Sequence, residues 1–281
     1  METIRSIEAM TDATGWRRNN RQIGLVSTKG NLHSGHVALI KACMGNADIS
    51  VVSVYVNPLE FADDEAFANY PRNVAADKAL LERLGVDYLF LPTDSEMFPA
   101  GVRDVTTVRL PHLAVELQGV ENPRLFNARA TAWLKLYNII RPDVAYFGEK
   151  DMQELVLIRR MIGELNLTLK LQSVPIVRDN NSVALAGGLS QLTPSEQLQA
   201  PILYQTLNDV AYAVRNGARN FNKLEHTAKL ALRGGGFATE YVAIRDADTL
   251  APPSQISQQL RVLAAAQLGL ARLTDNISVE I

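Results

Sequence analysis

The chain has 281 residues, 47% hydrophobic and 21% charged, enough for a large core in one sizeable domain or in one with a smaller appendage. Twenty-eight Lys+Arg against 30 Asp+Glu leave a formal charge of −2, so no basic surplus calls for nucleic acid. No run of about 18 apolar residues occurs, which excludes a membrane-spanning helix, and the single cysteine, Cys43, excludes an intrachain disulfide or a cysteine zinc site. The N-terminus carries early acids and no apolar stretch before a small-residue site, so it is not read as a signal peptide. The expectation is a cytoplasmic globular protein.

Ile23–Ser27 is a short apolar run ending in Thr28, Lys29, Gly30 and Asn31, the pattern of a buried strand and a turn. A helical pattern starts at Gly35, with Val37, Leu39, Ile40 and Cys43 on its apolar face. Ile49–Val56 is rich in β-branched residues and reads as a strand closed by Asn57-Pro58. Val74–Leu84 is helical and stops at Gly85; Val86–Leu91 is the next strand. A helix over Arg129–Ile140 precedes Pro142, a strand over Val144–Phe147 turns at Gly148 into a helix over Met152–Ile162, and Leu169–Val177 is a further strand. Trp133, Leu134, Leu136 and Tyr137 recur at helical spacing and are assigned to the core.

Strands alternating with helices predict right-handed crossovers and a doubly wound, mostly parallel α/β sheet. Ligands of such sheets lie at the carboxyl ends of the strands. After Val177 the texture changes: Arg178–Ser190 reads as a loop or hinge, followed by a helix from Pro194 to about Arg215, another helix, and strands over Glu240–Ile244 and Arg261–Ala266. The expected organisation is a nucleotide-binding domain over residues 1–177 and a smaller α+β domain over 178–281.

His33-Ser34-Gly35-His36 is the most informative tetrapeptide. It places two of the four histidines at the mouth of a helix, three residues apart and therefore on one side of the turn. Three readings compete. A metal site needs three or four ligands, and no nearby Cys, Asp or Glu completes one. A structural pair would be satisfied by backbone. In the third reading the imidazoles donate hydrogen bonds to charge developing on a phosphate, at a helix start that favours anions and beside Gly35, which permits close approach. Gly148-Glu149-Lys150-Asp151 is a second polar cluster at a strand end; Lys150 suits phosphate and Asp151 a ribose hydroxyl, or the segment is a solvated turn. His112 and His226 have no motif around them.

Thr28–His36 (TKGNLHSGH), Val54–Pro58, Tyr70-Pro71-Arg72, Phe147–Asp151, Ile244–Ala247 and Leu270–Asn276 follow one another in an order and spacing that resemble the pantothenate synthetases, the pantoate–β-alanine ligases, over residues 21–281. The resemblance implies a nucleotidyltransferase fold of the two-histidine type with a C-terminal lid, a homodimer, and the substrates pantoate, β-alanine and ATP with Mg2+. It also implies a two-step reaction through pantoyl adenylate. The expected site places catalysis on His33, His36 and Lys150, nucleotide contacts on Thr28, Lys29, Gly35, Gly148 and Asp151, and the acid pocket on Asn57, Glu60 and Gln153.

Four departures from the family pattern fall in the site. Ser27-Thr28-Lys29 stands where the family has Pro-Thr-Met, and Glu60 replaces the glutamine of Asn-Pro-x-Gln-Phe. Arg124–Arg129 (RLFNAR) replaces Gly-His-Phe-Arg-Gly-Val, and Ala186-Gly187-Gly188-Leu189 replaces a Ser-Ser-Arg-Asn phosphate loop. Lys29, Arg124 and Arg129 are candidate replacements for the lost arginine. Glu60 would oppose a substrate carboxylate by about 4 kcal/mol at 4 Å and an effective dielectric near 20, unless it points elsewhere, is protonated or meets a cationic group on a different substrate. The implied alternatives are a diverged paralogue acting on another small acid or amine, and a nucleotide-binding protein with impaired catalysis.

Overall fold

A computed structural model describes all residues except 16–19, 103, 111, 121 and 123, and the side chain of His112; the expectation for His112 therefore lies outside the described residues. In chain order the elements of the first part are β1 (Glu2–Ile4), α1 (Ile7–Gly15), β2 (Ile23–Thr28), α2 (Ser34–Asn46), β3 (Ile49–Val54), α3 (Asp64–Ala68), α4 (Val74–Leu84), β4 (Tyr88–Phe90), α5 (Asp94–Met97), α6 (Leu125–Ile140), β5 (Val144–Gly148), α7 (Met152–Glu164) and β6 (Lys170–Val174). There follow α8 (Pro194–Gln199), α9 (Pro201–Arg215), α10 (Phe221–Gly234), β7 (Ala238–Asp246), β8 (Gln259–Leu268) and β9 (Ala271–Glu280). The chain divides into two compact units. One comprises Met1–Gly148 with Leu157–Val174, the other Glu149–Val156 with Pro175–Ile281.

The first unit is built on a six-stranded parallel sheet in the order β1-β4-β3-β2-β5-β6. Its strands read as nearly continuous apolar runs because helices cover both faces of such a sheet. On one face Val26 and Val52 pack with Ile40 and Cys43 of α2 and Leu81 of α4. The approach of α2 is close: a Cβ at Gly24 of β2 would stand 2.5 Å from Cys43 Sγ, so only glycine fits there. Burial, with a smaller push from Asp87, raises the Cys43 thiol to about 12, which makes it a packing residue rather than a nucleophile. Trp133, Leu136 and Tyr137 are buried on α6, as their spacing predicts, while Leu134 is only partly buried.

The second unit carries an antiparallel sheet, β7-β8-β9, against α9 and α10. Alternate residues of β8 (Leu260, Val262, Ala264, Ala266, Leu268) join Leu207, Val210, Ala211 and Val214 of α9 in one core. The single helix expected over 194–215 is two, because Pro201 opens α9 at a position that needs no N–H donor. β9 is not evident from composition: Asp275 and Asn276, poor strand formers, sit at its centre. The β3 ladder ends at Val54 rather than Val56, leaving the last residues to lead into the site. No described helix is long and apolar enough to cross a membrane.

Candidate active site

In the first unit β2 has β3 on one side and β5 on the other, so chain connections leave it in opposite directions. That is a topological switch point, where doubly wound sheets open a crevice at the carboxyl ends of their strands. The loop after β2 carries the histidine pair, and Gly148 ends β5 beside it in the sheet.

The two imidazoles form a reciprocal cap at the start of α2. His33 is the N-cap residue; its Nδ1 accepts from Gly35 N at 3.1 Å, while His36 Nδ1 accepts from His33 N at 3.3 Å. The rings lie 4.0 Å apart, tilted by 44°. Because each Nδ1 accepts, the neutral rings carry their protons on Nε2. Backbone geometry thereby presets two Nε2–H donors at a helix N-terminus, an arrangement suited to a phosphoryl group. The structural and phosphate readings of this pair are thus compatible, since the fold uses Nδ1 of each ring for the cap.

The approach to the pair is pinned by Asp77, a residue that sequence reasoning overlooked. From α4 its carboxylate accepts from Asn31 N (2.9 Å) and Leu32 N (2.8 Å), and it is 5% exposed. Gly30, at φ +83°, turns the loop beneath it; a Cβ there would press on Asp77 Oδ2 at 2.9 Å. Thr28 Oγ1 accepts from Gly30 N at 3.1 Å, so this hydroxyl braces the same turn.

Three of the departures from the family pattern meet at one point. Glu60 Oε2 accepts from Lys29 Nζ at 3.0 Å and from Arg129 Nε at 2.9 Å, with side-chain exposures of 8%, 34% and 13% for Glu60, Lys29 and Arg129. Burial opposes ionisation of Glu60, but the Arg129 charge and then the Lys29 charge outweigh it and hold the carboxyl below its ordinary range. The anticipated clash with a substrate carboxylate is therefore removed inside the protein, where Lys29 and Arg129 share one counter-ion. Asn57 holds this corner: Nδ2 donates to Ala128 O of α6 at 2.9 Å, and Oδ1 accepts from Leu59 N at 3.1 Å at the head of the short turn Pro58–Glu60.

A carboxyl depressed on folding stabilises the fold above its unfolded pKa, about 4.3 for glutamate, and loses that contribution as pH falls through the folded value. Urea unfolding of wild type and Glu60→Gln across a pH series should accordingly show a gap that is full at pH 7 and narrows below pH ~4. A gap independent of pH would mean that the triad is not ionised as described.

In the second unit Lys150 Nζ donates to Asp151 Oδ1 at 2.8 Å and to Thr274 Oγ1 of β9 at 3.2 Å. The turn Glu149–Asp151 is held from β9 and β8: Asn276 Nδ2 donates to Glu149 O (2.7 Å) and Lys150 O (3.2 Å), and Arg261 Nη1 donates to Asn276 Oδ1 (3.0 Å). Asp275, 3% exposed, takes both Nη groups of Arg178 at 2.7 and 2.8 Å. Gln153 is buried at the start of α7. Ala186 caps the short turn Gly187–Gln191 without a side-chain hydrogen bond, so the segment that replaces the phosphate loop brings backbone and no cation.

Of the predicted residues, the first unit thus holds His33, His36, Thr28, Lys29, Gly35, Asn57, Glu60 and Gly148, and the second Lys150, Asp151 and Gln153. Direct contacts join His33 with His36, Lys29 with Glu60, and Lys150 with Asp151. Among the described residues no cluster of three or more His, Cys, Asp or Glu is placed to hold a metal ion.

The sequence model of the family described as Pantoate-beta-alanine ligase matches residues 2–278. A pantothenate synthetase of Nitrosococcus oceani is 40% identical over 282 aligned positions, covering 100% of this chain and 99% of that protein. Among solved structures, the pantothenate synthetase of Thermus thermophilus superposes with a TM-score of 0.90 at 34% identity over 100% of both chains. The pantoate-beta-alanine ligase of Francisella tularensis, solved with beta-gamma ATP and beta-alanine, gives 0.80 at 26% identity over 99% of this chain and 97% of that one. With its histidine pair at the switch point of a doubly wound sheet and a match along its whole length, the chain belongs to the pantoate–β-alanine ligase family.

Proposed function

We propose that this chain is an ATP-dependent, AMP-forming ligase that joins pantoate to β-alanine through an acyl adenylate. The observation that carries the reading is the reciprocal histidine cap at the switch point, which fixes two ring N–H donors at a helix N-terminus. In the first step a carboxylate oxygen of the acid attacks the α-phosphorus of ATP and pyrophosphate departs. His33 and His36 donate to the phosphoryl oxygens as charge builds on them, and Lys150 supplies a cation for the phosphates, its carboxylate partner Asp151 receiving the ribose. In the second step the amine nitrogen attacks the acyl carbon; the amide forms, AMP leaves, and the amine gives up a proton.

Asn57, Glu60 and Gln153 line the acid subsite in this reading, with Asn57 setting the position of Glu60. The nucleotide contacts are Thr28, Lys29, Gly35, Gly148 and Asp151, of which Thr28 and Lys29 shape the turn before the histidines. The donor set among the described residues offers no protein cage for magnesium; Mg2+ would arrive on the phosphates of ATP, to which it binds while keeping several waters. The same reading implies a cytoplasmic homodimer.

The test is product analysis with ATP, Mg2+, pantoate and β-alanine. AMP and amide should appear in equal amounts, and omission of either carbon substrate should stop amide formation. Production of ADP, or no AMP with any acid, would overturn the assignment.

A further inference from the structure

We infer that Asp77 is a positioning residue for the reaction: its carboxylate fixes the turn that sets the two imidazoles, and it acts on the rate through them. The inference rests on the ligase reading above and adds to that site a residue that works only through others.

Gly30 and Asn31 take left-handed backbone conformations in succession, at φ +83° and +52°, so the chain reverses sharply between β2 and α2. Such a turn aims successive amides at one point, a concavity that ordinarily attracts an anion. Here the anion is internal. Asp77 Oδ2 accepts from Asn31 N at 2.9 Å and Oδ1 from Leu32 N at 2.8 Å, one oxygen for each amide. The carboxylate stands on a rigid base. Asp77 N donates to Asn73 O at 3.0 Å in the first turn of α4, and Leu81, one turn further on, is fully buried with Val26, Ile40 and Val52.

A turn held at two adjacent amides leaves little freedom to the third. That third amide is His33 N, which donates to His36 Nδ1 at 3.3 Å, and His33 Nδ1 in turn accepts from Gly35 N at 3.1 Å. Asn31 Nδ2 adds a tie from the same turn to Pro71 O. Thr28 Oγ1 accepts only from Gly30 N and cannot substitute for the carboxylate at the two later amides. A shift of the turn is therefore passed to both rings. Misplacing a catalytic group by about 1 Å can cost on the order of 10²-fold in rate.

The experiment measures AMP formation from ATP, pantoate and β-alanine by wild type, D77N, H36A and D77N/H36A. Asparagine keeps the volume and one acceptor oxygen of Asp77, but it turns an amide NH2 toward the second backbone N–H. In D77N kcat should fall at least about tenfold, with KM for ATP within about twofold of wild type. In the H36A background the same change should lower kcat less than about threefold, because His33 N has already lost its acceptor there. A carboxylate that served stability alone would give the same factor in both backgrounds. Nitrogen NMR of the rings, assigned with H33A and H36A, gives a second readout independent of turnover. At pH ~8 wild type should show both rings protonated on Nε2, and D77N a mixture of tautomers, with His226 unaltered. Equal factors in the two backgrounds, or unchanged kcat with unchanged ring spectra, overturns the inference while the ligase reading stands. No AMP from wild type with any acid overturns both.

Discussion

Replacing His36 by alanine should lower kcat about 10²–10³-fold with little change in KM for ATP. The ring does two things, and they can be separated. Its Nδ1 accepts from His33 N, closing the cap of α2, and that contact is worth about 1 kcal/mol of helix stability. Its Nε2–H is the preset donor, and the loss of such a donor is felt in the transition state rather than in the ground state. The melting temperature should therefore fall modestly while turnover collapses. His36→Asn, which keeps a short side chain with both acceptor and N–H donors, should recover part of the stability and part of the rate. A kcat for the alanine variant within about threefold of wild type would return the pair to the structural reading. His33→Ala should behave alike, since its Nδ1 accepts from Gly35 N and its ring lies 4.0 Å from that of His36.

Asp275→Ala should destabilise the protein by about 3 kcal/mol, the lower end for breaking a buried ion pair because Arg178 keeps some access to water. The carboxylate is 2% exposed and accepts two bonds from one guanidinium, and its removal strands that cation between Tyr204, whose ring is 4.1 Å away, and the strand. A functional effect accompanies the loss. Asp275 Oδ1 also accepts from Asn276 N at 2.7 Å, and the Asn276 side chain holds the carbonyls of Glu149 and Lys150. Loosening it should raise KM for ATP through Lys150. Denaturant unfolding of wild type, Asp275→Ala and Asp275→Asn measures the first effect, with asparagine intermediate because it retains an acceptor. A change below about 1 kcal/mol would show that Arg178 finds water instead.

These two cases differ in how far the sequence could foresee them. The histidine pair was legible because its geometry is local: residues three apart at a helix start meet whatever the rest of the chain does. The apolar runs likewise announced the parallel sheet, because burial on both faces leaves strands no polar side. β9 escaped notice because its stability comes from pairing with β8 and from Arg178 and Arg261, not from the propensities of Asp275 and Asn276.

What the sequence by itself determined, then, was the fold class and the place of the histidines, set by short-range periodicity and spacing, together with a family resemblance carried by its motifs. Only the tertiary structure decided the meaning of Lys29, Glu60 and Arg129. Glu60 lies 31 residues from Lys29 and 69 from Arg129 along the chain, and as separate letters they read as a repulsive acid and two candidate replacements for a lost arginine. Asp77, 45 and 46 residues from the amides it holds, was silent for the same reason. Coulombic pairing and backbone bracing depend on distances of about 3 Å in space, and it is the sheet that brings such distant residues together.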